Sequence, residues 1–269
     1  MVASSTAFPK GDNRYEMSRL AEKIYYGARY CGMRAAGYEW LFVLGHMRSG
    51  SSLLVHLLNS NPAVLGYGET HIRYKGRRSV VQLHDHVRNR FEAHDEPPGR
   101  RYRYVMDKIL WPHIQNDDLL HQVPLSVIVI VRRPEATLPS ILSLGLEGIR
   151  TPEMALRYYV ERLGRVERLL EGYDAPFAFT RYEDLTGRTE ETLLNISEYL
   201  GLDERLTPTY DTMWATGTSG IGDSSEHITE GRVRSTKTSS NDVDLDPAII
   251  GRVRDRYRAF CSFCADHRD

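Results

Sequence analysis

The stretch Gly45-His46-Met47-Arg48-Ser49-Gly50-Ser51-Ser52 follows the apolar run Trp40–Leu44 and precedes a leucine-rich stretch. A strand, a glycine-bounded loop and a helix start, in that order, aim backbone N–H groups at one point, which is how a loop holds phosphate. The spacing fits the phosphate loop G-x-x-x-x-G-K-[ST] except at the lysine, where Ser51 stands. The nearest cation is Arg48, inside the loop. Further along, the β-branched run Leu125–Val131 ends in Arg132-Arg133-Pro134. Phosphoryl transfer from a nucleoside triphosphate needs the loop lysine and a carboxylate that holds magnesium. Here the strongest strand ends in arginine, and Asp107 is the one weak carboxylate candidate. The residues favour a metal-free site for an anion, with Arg48 at one strand end and Arg132 and Arg133 at another. A ligand with two separate phosphate groups, such as a nucleotide phosphorylated at both ends of its ribose, suits that pattern.

Proton transfer from an acceptor hydroxyl needs a base, and Gly68-Glu69-Thr70-His71 offers two. Glu69 and His71 point to the same side if the chain is extended there. Lys108 is a second possible cation near the donor or acceptor.

These groups are carried by alternating strands and helices. The spacing predicts strands at 40–44, 63–67, 102–106, 125–131 and 177–180. It predicts helices at 13–38, after Ser51, at about 112–121, after Pro134, at 152–172 with its arginines on the wet side, at 189–200 and from about Pro247. Pro139 should kink or shorten the helix after Pro134. The run at 125–131 lacks alternation, as a central parallel strand buried on both faces does. The expected fold is therefore α/β, a P-loop-type doubly wound parallel β-sheet flanked by helices, with ligands at the carboxyl ends of its strands. One domain is expected over 1–269, with residues 1–39 as an N-terminal helical extension. Residues 73–101, rich in arginine and histidine, read as a substrate-side insertion, and 207–246 as a long functional loop.

At this point the sequence resembles the sulfotransferases that use 3′-phosphoadenosine 5′-phosphosulfate, in their carbohydrate-type and bacterial branch. Arg48-Ser49-Gly50-Ser51-Ser52-Leu53-Leu54 is similar to the family's 5′-phosphosulfate loop, and Val131-Arg132-Arg133-Pro134 with Ser140 to its 3′-phosphate motif. Arg181-Tyr182-Glu183-Asp184-Leu185 with Tyr199-Leu200-Gly201-Leu202 resembles its late strand and helix. His227, Gly231 and Arg234 resemble its cofactor-covering loop. The resemblance implies that the amides of Gly50, Ser51 and Ser52 hold the 5′-phosphate, beside Ser49, and that Arg48 neutralises the sulfuryl group in transfer. It implies that Arg132 and Ser140 grip the 3′-phosphate, that Tyr182 packs near the adenine, and that Gly231, Arg232 and Arg234 close over the nucleotide. Glu69 matches the family's Gly-Glu base, and His71 competes with it because histidine serves in the cytosolic relatives. Arg133 stands where many relatives have Asp or Asn, so either arginine can be the phosphate contact.

The activity so implied is metal-independent sulfuryl transfer to a hydroxyl of a small-molecule, glycan or natural-product acceptor. Two other readings remain: a nucleotide-kinase-type phosphoryl transferase, and a non-catalytic nucleotide-binding protein on the same fold. A formal net charge of −1 argues against a general nucleic-acid binder. No apolar run reaches the ~20 residues that span a bilayer. Met1–Asp12 lacks the apolar core of a secretory signal, so the expected compartment is cytoplasmic. Cys31, Cys261 and Cys264 provide no disulfide framework. His84-Asp85-His86 has the look of a metal pair without a third ligand.

Overall fold

The structure, a computed structural model, describes residues 13–94, 101–111, 113–116, 119–214, 216–217, 226–234 and 247–267. The polar N-terminus, Pro97-Pro98-Gly99, the side chain of His227 and most of the loop 207–246 lie outside the described residues.

The described elements run α1 (Asn13–Ala35), β1 (Glu39–Gly45), α2 (Ser51–Asn59), β2 (Val64–Leu65), α3 (Arg77–Ala93), β3 (Tyr104–Ile109), α4 (Leu119–Gln122) and β4 (Leu125–Val131). There follow α5 (Pro134–Leu142), α6 (Pro152–Glu171), β5 (Ala178–Arg181), α7 (Tyr182–Gly187), α8 (Thr189–Tyr199) and, after a 3-10 turn at Glu226–Glu230, α9 (Pro247–His267). The five strands form one sheet in the order β2-β3-β1-β4-β5, and every pairing is parallel. The fold is α/β, with the parallel sheet flanked by helices.

β1 lies at the centre, between β3 and β4. After β1 the chain travels outward to β2, returns through β3, and then crosses to β4 on the other side of β1. The loops leaving β1 and β4 therefore part in opposite directions, and between them opens the crevice in which such sheets bind ligands. Gly45 is bare because the loop must turn back on β4 there: an added Cβ would sit 2.6 Å from Ile130 O.

β1 and β4 are buried on both faces, as their unbroken apolar sequences require. On one face Phe42 meets Tyr74, and Trp40 stacks on Tyr30 of α1 and donates its indole N–H to Val80 O of α3. α3 buries Val80, Val81, Leu83, Val87 and Phe91, so the arginine- and histidine-rich segment is first a crossover helix of the core. α5, α6 and α9 pack on one another.

Two expectations need correction. Residues 113–115 do not form a helix. Tyr74 N–H donates to His113 O, and Gln115 N–H donates to Tyr74 O, which holds this stretch extended beside the chain at Tyr74. Nor are all arginines of α6 on its wet side, because Arg162 is buried. Pro139 sits inside α5, which ends three residues later at Leu142. No described helix is long and apolar enough to cross a membrane.

Candidate active site

The loop after β1 is held from three directions. His46 is fully buried and bridges it to the end of β4. Its Nδ1 lies 2.8 Å from Met47 O and its Nε2 3.1 Å from Arg132 N. Only a backbone N–H can donate to Nε2 here, so the proton is on Nδ1 and the ring is neutral. Burial pushes its pKa down to about 4, and the nearby Arg162 and Arg132 act in the same direction. From α6, Tyr158 Oη accepts from Met47 N at 2.8 Å. Arg162 donates to Gly45 O at 2.6 Å and to Ile109 O at 2.5 Å, which ties the carboxyl ends of β1 and β3 together. Burial lowers the Arg162 pKa to about 10, so the group stays charged at neutral pH.

Arg48 itself has φ 62, and Gly50, with φ 87, precedes the first residue of α2. These left-handed turns are costly for side chains other than glycine. They bring the loop close to the far side of the crevice, where Arg48 Nε donates to Ser140 Oγ at 2.8 Å. Ser140 lies on α5, the helix that leaves β4, so Arg48, Arg132 and Ser140 gather at the switch point.

Arg132 and Arg133 separate. Arg133 N–H donates to Glu183 Oε1 at 3.2 Å, and its guanidinium lies 3.7 Å from the same oxygen. Arg132 instead lies over the Tyr182 ring, 4.3 Å from its centroid, in a cation–π contact. Its Nε is buried with no hydrogen-bond partner among the described residues, as is Ser49 Oγ. Burial lowers the Arg132 pKa, and the neighbouring positive charges of Arg48 and Arg133 add to the effect. The Tyr182 ring is pressed against Gly50, where an added Cβ would overlap Cδ2.

On the β3 side, Lys108 is 3% exposed and Glu69 12%. Lys108 Nζ donates to Ser52 Oγ at 3.1 Å and lies 3.5 Å from Glu69 Oε1. A lysine from the neighbouring strand thus reaches the first turn of α2, although the loop has none. Glu69 Oε2 is buried without a hydrogen-bond partner among the described residues. Asp107, next to Lys108 on β3, faces elsewhere. It accepts from Thr70 N at 2.9 Å, Thr70 Oγ1 at 2.8 Å and Tyr74 Oη at 2.6 Å. Burial raises its pKa to about 6 against these donors. With its oxygens so engaged, Asp107 is a clamp for the turn that carries Glu69 and is not placed as a magnesium ligand.

His71 parts from Glu69. It is exposed, has φ 57, and meets the ring of His113 edge-on with centroids 5.5 Å apart. The turn at His71 breaks the extended geometry that would have aligned the two. Gly231 O accepts from Tyr210 N at 2.8 Å, Val233 N donates to Pro208 O at 2.8 Å, and Arg234 pairs with Glu230. Gly231, Arg232 and Arg234 therefore belong to a segment folded onto 208–210, and Arg232 and Arg234 are exposed. His84 and His86 diverge, to Tyr102 and Tyr67 respectively.

His46, Tyr158 and Arg162 were not singled out from the sequence, and only Arg162 leaves a signal there. It falls on the stripe Ala155, Tyr159, Arg162, Val166, Leu169, where helical spacing calls for an apolar side chain.

No protein-family model matches the sequence, and no curated protein matches it. Among solved structures, the sulfotransferase domain from the curacin biosynthetic pathway aligns with a TM-score of 0.51 at 14% identity, covering 82% of this chain and 98% of that one. The chain has the fold of a sulfotransferase domain. A second match, sulfotransferase STF9 from Mycobacterium avium, reaches a TM-score of 0.39 at 15% identity over 62% of this chain and 64% of that one.

Proposed function

We propose that the chain is a sulfotransferase that takes 3′-phosphoadenosine 5′-phosphosulfate as donor and a hydroxyl of a small-molecule, glycan or natural-product molecule as acceptor. The observation that carries this reading is the contact of Arg48 with Ser140. It joins the phosphate loop to the helix behind Arg132, so one cleft offers cations and hydroxyls to two separated phosphate groups. The shared fold supports it. The donor set fits as well: Arg132 Nε and Ser49 Oγ are buried, polar and without partners among the described residues, at the places where two anionic groups would lie.

In this reading the amides of Gly50, Ser51 and Ser52 bind the 5′-phosphate. Arg132, held flat by the Tyr182 ring, and Ser140 bind the 3′-phosphate. Arg133 is left to Glu183. The bound donor supplies an electrophilic sulfuryl group and a stable bisphosphate leaving group. Glu69 takes the acceptor's hydroxyl proton as the acceptor oxygen bonds to sulfur and the bond from sulfur to the 5′-phosphate oxygen breaks. Arg48 and Lys108 offset the negative charge that builds on the sulfuryl and leaving oxygens, a preorganised electrostatic effect. Glu69 is preferred to His71 because it lies beside Lys108 and Ser52, whereas His71 is turned out toward His113. Gly231, Arg232 and Arg234 are proposed to reach the nucleotide from the segment at 208–210.

The test is transfer of labelled sulfate from the donor to a panel of hydroxylated acceptors in the presence of a chelator. Transfer that disappears in Glu69→Gln while donor binding persists is the expected result. Magnesium-dependent phosphorylation by ATP in place of sulfation would replace this reading with the kinase one.

A further inference from the structure

The turn that presents Glu69 also builds a second, strongly basic surface. Between His71 and Arg90 the chain carries six Arg or Lys residues and a single acidic one, Asp85, in a protein whose formal net charge is −1. Asp85 is engaged by Arg29 at 2.5 Å. Part of this charge lines a cavity of about 710 Å³ bordered by Arg73, Lys75, Arg77, Arg78, Gln82 and His86.

Two of these cations are fixed in place. Arg77 donates to Gln122 O at 3.3 Å and lies over the Tyr30 ring, 5.2 Å from its centroid. Arg78 pairs with Glu22 at 2.7 Å and lies over the Tyr26 ring at 4.8 Å. Arg73 and Lys75 are exposed, and no carboxylate partner for either is found among the described residues. Like charges gathered on a concave surface repel one another, so this arrangement costs stability that an anionic ligand would return. The first turn of α3 opens here without an acidic residue, so its dipole adds to the positive potential.

The cavity is mechanically joined to the candidate base. Thr70, next to Glu69, and Tyr74, between Arg73 and Lys75, are clamped on the same carboxylate, that of Asp107. Four residues of chain limit the separation of the Glu69 and Arg73 backbones to about 14 Å. That distance is within the span of a disaccharide-sized molecule.

We infer that this cavity holds an anionic group of the acceptor, a phosphate, sulfate or carboxylate, and so anchors the acceptor with a hydroxyl at Glu69. The inference deepens the sulfotransferase reading and rests on it for the word acceptor, but the anion site itself can be tested separately. The probe is inorganic phosphate, titrated by calorimetry into the protein saturated with 3′,5′-adenosine bisphosphate, for the wild type and for the Arg73→Ala, Lys75→Ala double variant. Both replaced side chains are exposed, so folding should be retained, and circular dichroism checks it. Phosphate should bind the wild type, weaken with added chloride, and bind the variant at least about ten-fold more weakly, the effect of a lost charge-assisted contact. Bisphosphate affinity should be the same in both proteins. Equal phosphate binding by the two proteins, or none by either, overturns the inference. If the bisphosphate fails to bind, the donor assignment falls, and the same titration without it still reads the cavity. A third arm uses vesicles of phosphatidylcholine with phosphatidylglycerol. Co-sedimentation abolished by the double variant, without phosphate binding in solution, would make this a lipid-surface site and overturn the small-acceptor inference.

Discussion

Arg48 and Ser140 are 92 residues apart in sequence, and the Arg48 Nε–H donates to the Ser140 hydroxyl at 2.8 Å. That bond links the loop leaving β1 to the helix leaving β4. It also fixes the direction of a guanidinium whose backbone, at φ 62, is already strained. Ser140→Ala should leave Arg48 less well aimed and weaken 3′,5′-adenosine bisphosphate binding by about 1 kcal/mol, the worth of one hydrogen bond. Arg48→Ala should weaken it further and lower transfer by about a hundred-fold or more. Titration calorimetry on the two variants separates the effects, and equal binding in all three proteins would contradict the shared cleft.

Gly50 carries two constraints at once, a left-handed backbone and the face of Tyr182. Gly50→Ala should destabilise the protein by about 2 kcal/mol or more from strain and overlap combined. In Gly50→Ala, Tyr182→Ala the overlap is relieved but the backbone strain remains, so chemical denaturation should show only partial recovery. Full recovery would mean that the backbone conformation is not the constraint.

Buried Lys108 pairs with the half-buried Glu69 at 3.5 Å and also reaches Ser52 in the first turn of α2. Glu69→Gln should lower the rate of transfer by about 10²–10⁴-fold with donor binding intact, as expected for loss of a general base. His71→Ala should change the rate by no more than a few-fold. Steady-state rates for these two variants decide between the bases, and the reverse ranking would move the role to His71. Lys108→Ala should lower the rate as well, by removing a cation from both Glu69 and Ser52.

The neutral His46 strut makes a pH prediction. Its folded pKa, about 4, is below the ordinary histidine value of 6.5, so the unfolded chain takes up the proton first as pH falls. The strut's stability is present above pH 6.5 and is lost progressively toward pH 4, by about 3 kcal/mol in all. Asp107, with its pKa raised to about 6, acts in the opposite direction, losing stability as pH rises from about 4 to 6. The isolating comparison is therefore wild type against His46→Gln in urea at pH 7 and pH 5. Gln has no proton to gain, so the variant should lose less stability between the two, and identical pH slopes would contradict a buried neutral ring.

Much of the frame was legible before the structure because β1, β4 and the loop after β1 are local patterns. An unbroken Val/Ile/Leu run, a glycine-bounded loop and Pro134 at a helix start each carry their own physical signal. The cation pair at the strand ends was legible for the same reason, since Arg48 and Arg132 sit at fixed offsets from those patterns. What escaped depends on distant partners. Residues 113–115 carry no strand alternation of their own and are held extended by Tyr74. Arg162 reads as a surface arginine until its donors meet Gly45 O and Ile109 O. Asp107 reads as a metal candidate until Thr70 and Tyr74 are seen to use up its oxygens. The choice between Arg132 and Arg133 was open in sequence because neighbouring residues at a strand end differ only in which way each side chain leaves, and Glu183 and Tyr182 set that from another element.

In the proposed reading two separate anion sites, one at the loop after β1 and one at Arg132 and Ser140, serve a single nucleotide. The most direct measurement is calorimetric titration of the wild type and Arg132→Ala with 3′,5′-adenosine bisphosphate and with 5′-AMP, all in a chelating buffer. Saturable bisphosphate binding at least about ten-fold tighter than that of 5′-AMP is expected, with this preference lost in Arg132→Ala, as removal of one charged phosphate contact requires. Equal affinity of the wild type for the two nucleotides would contradict it.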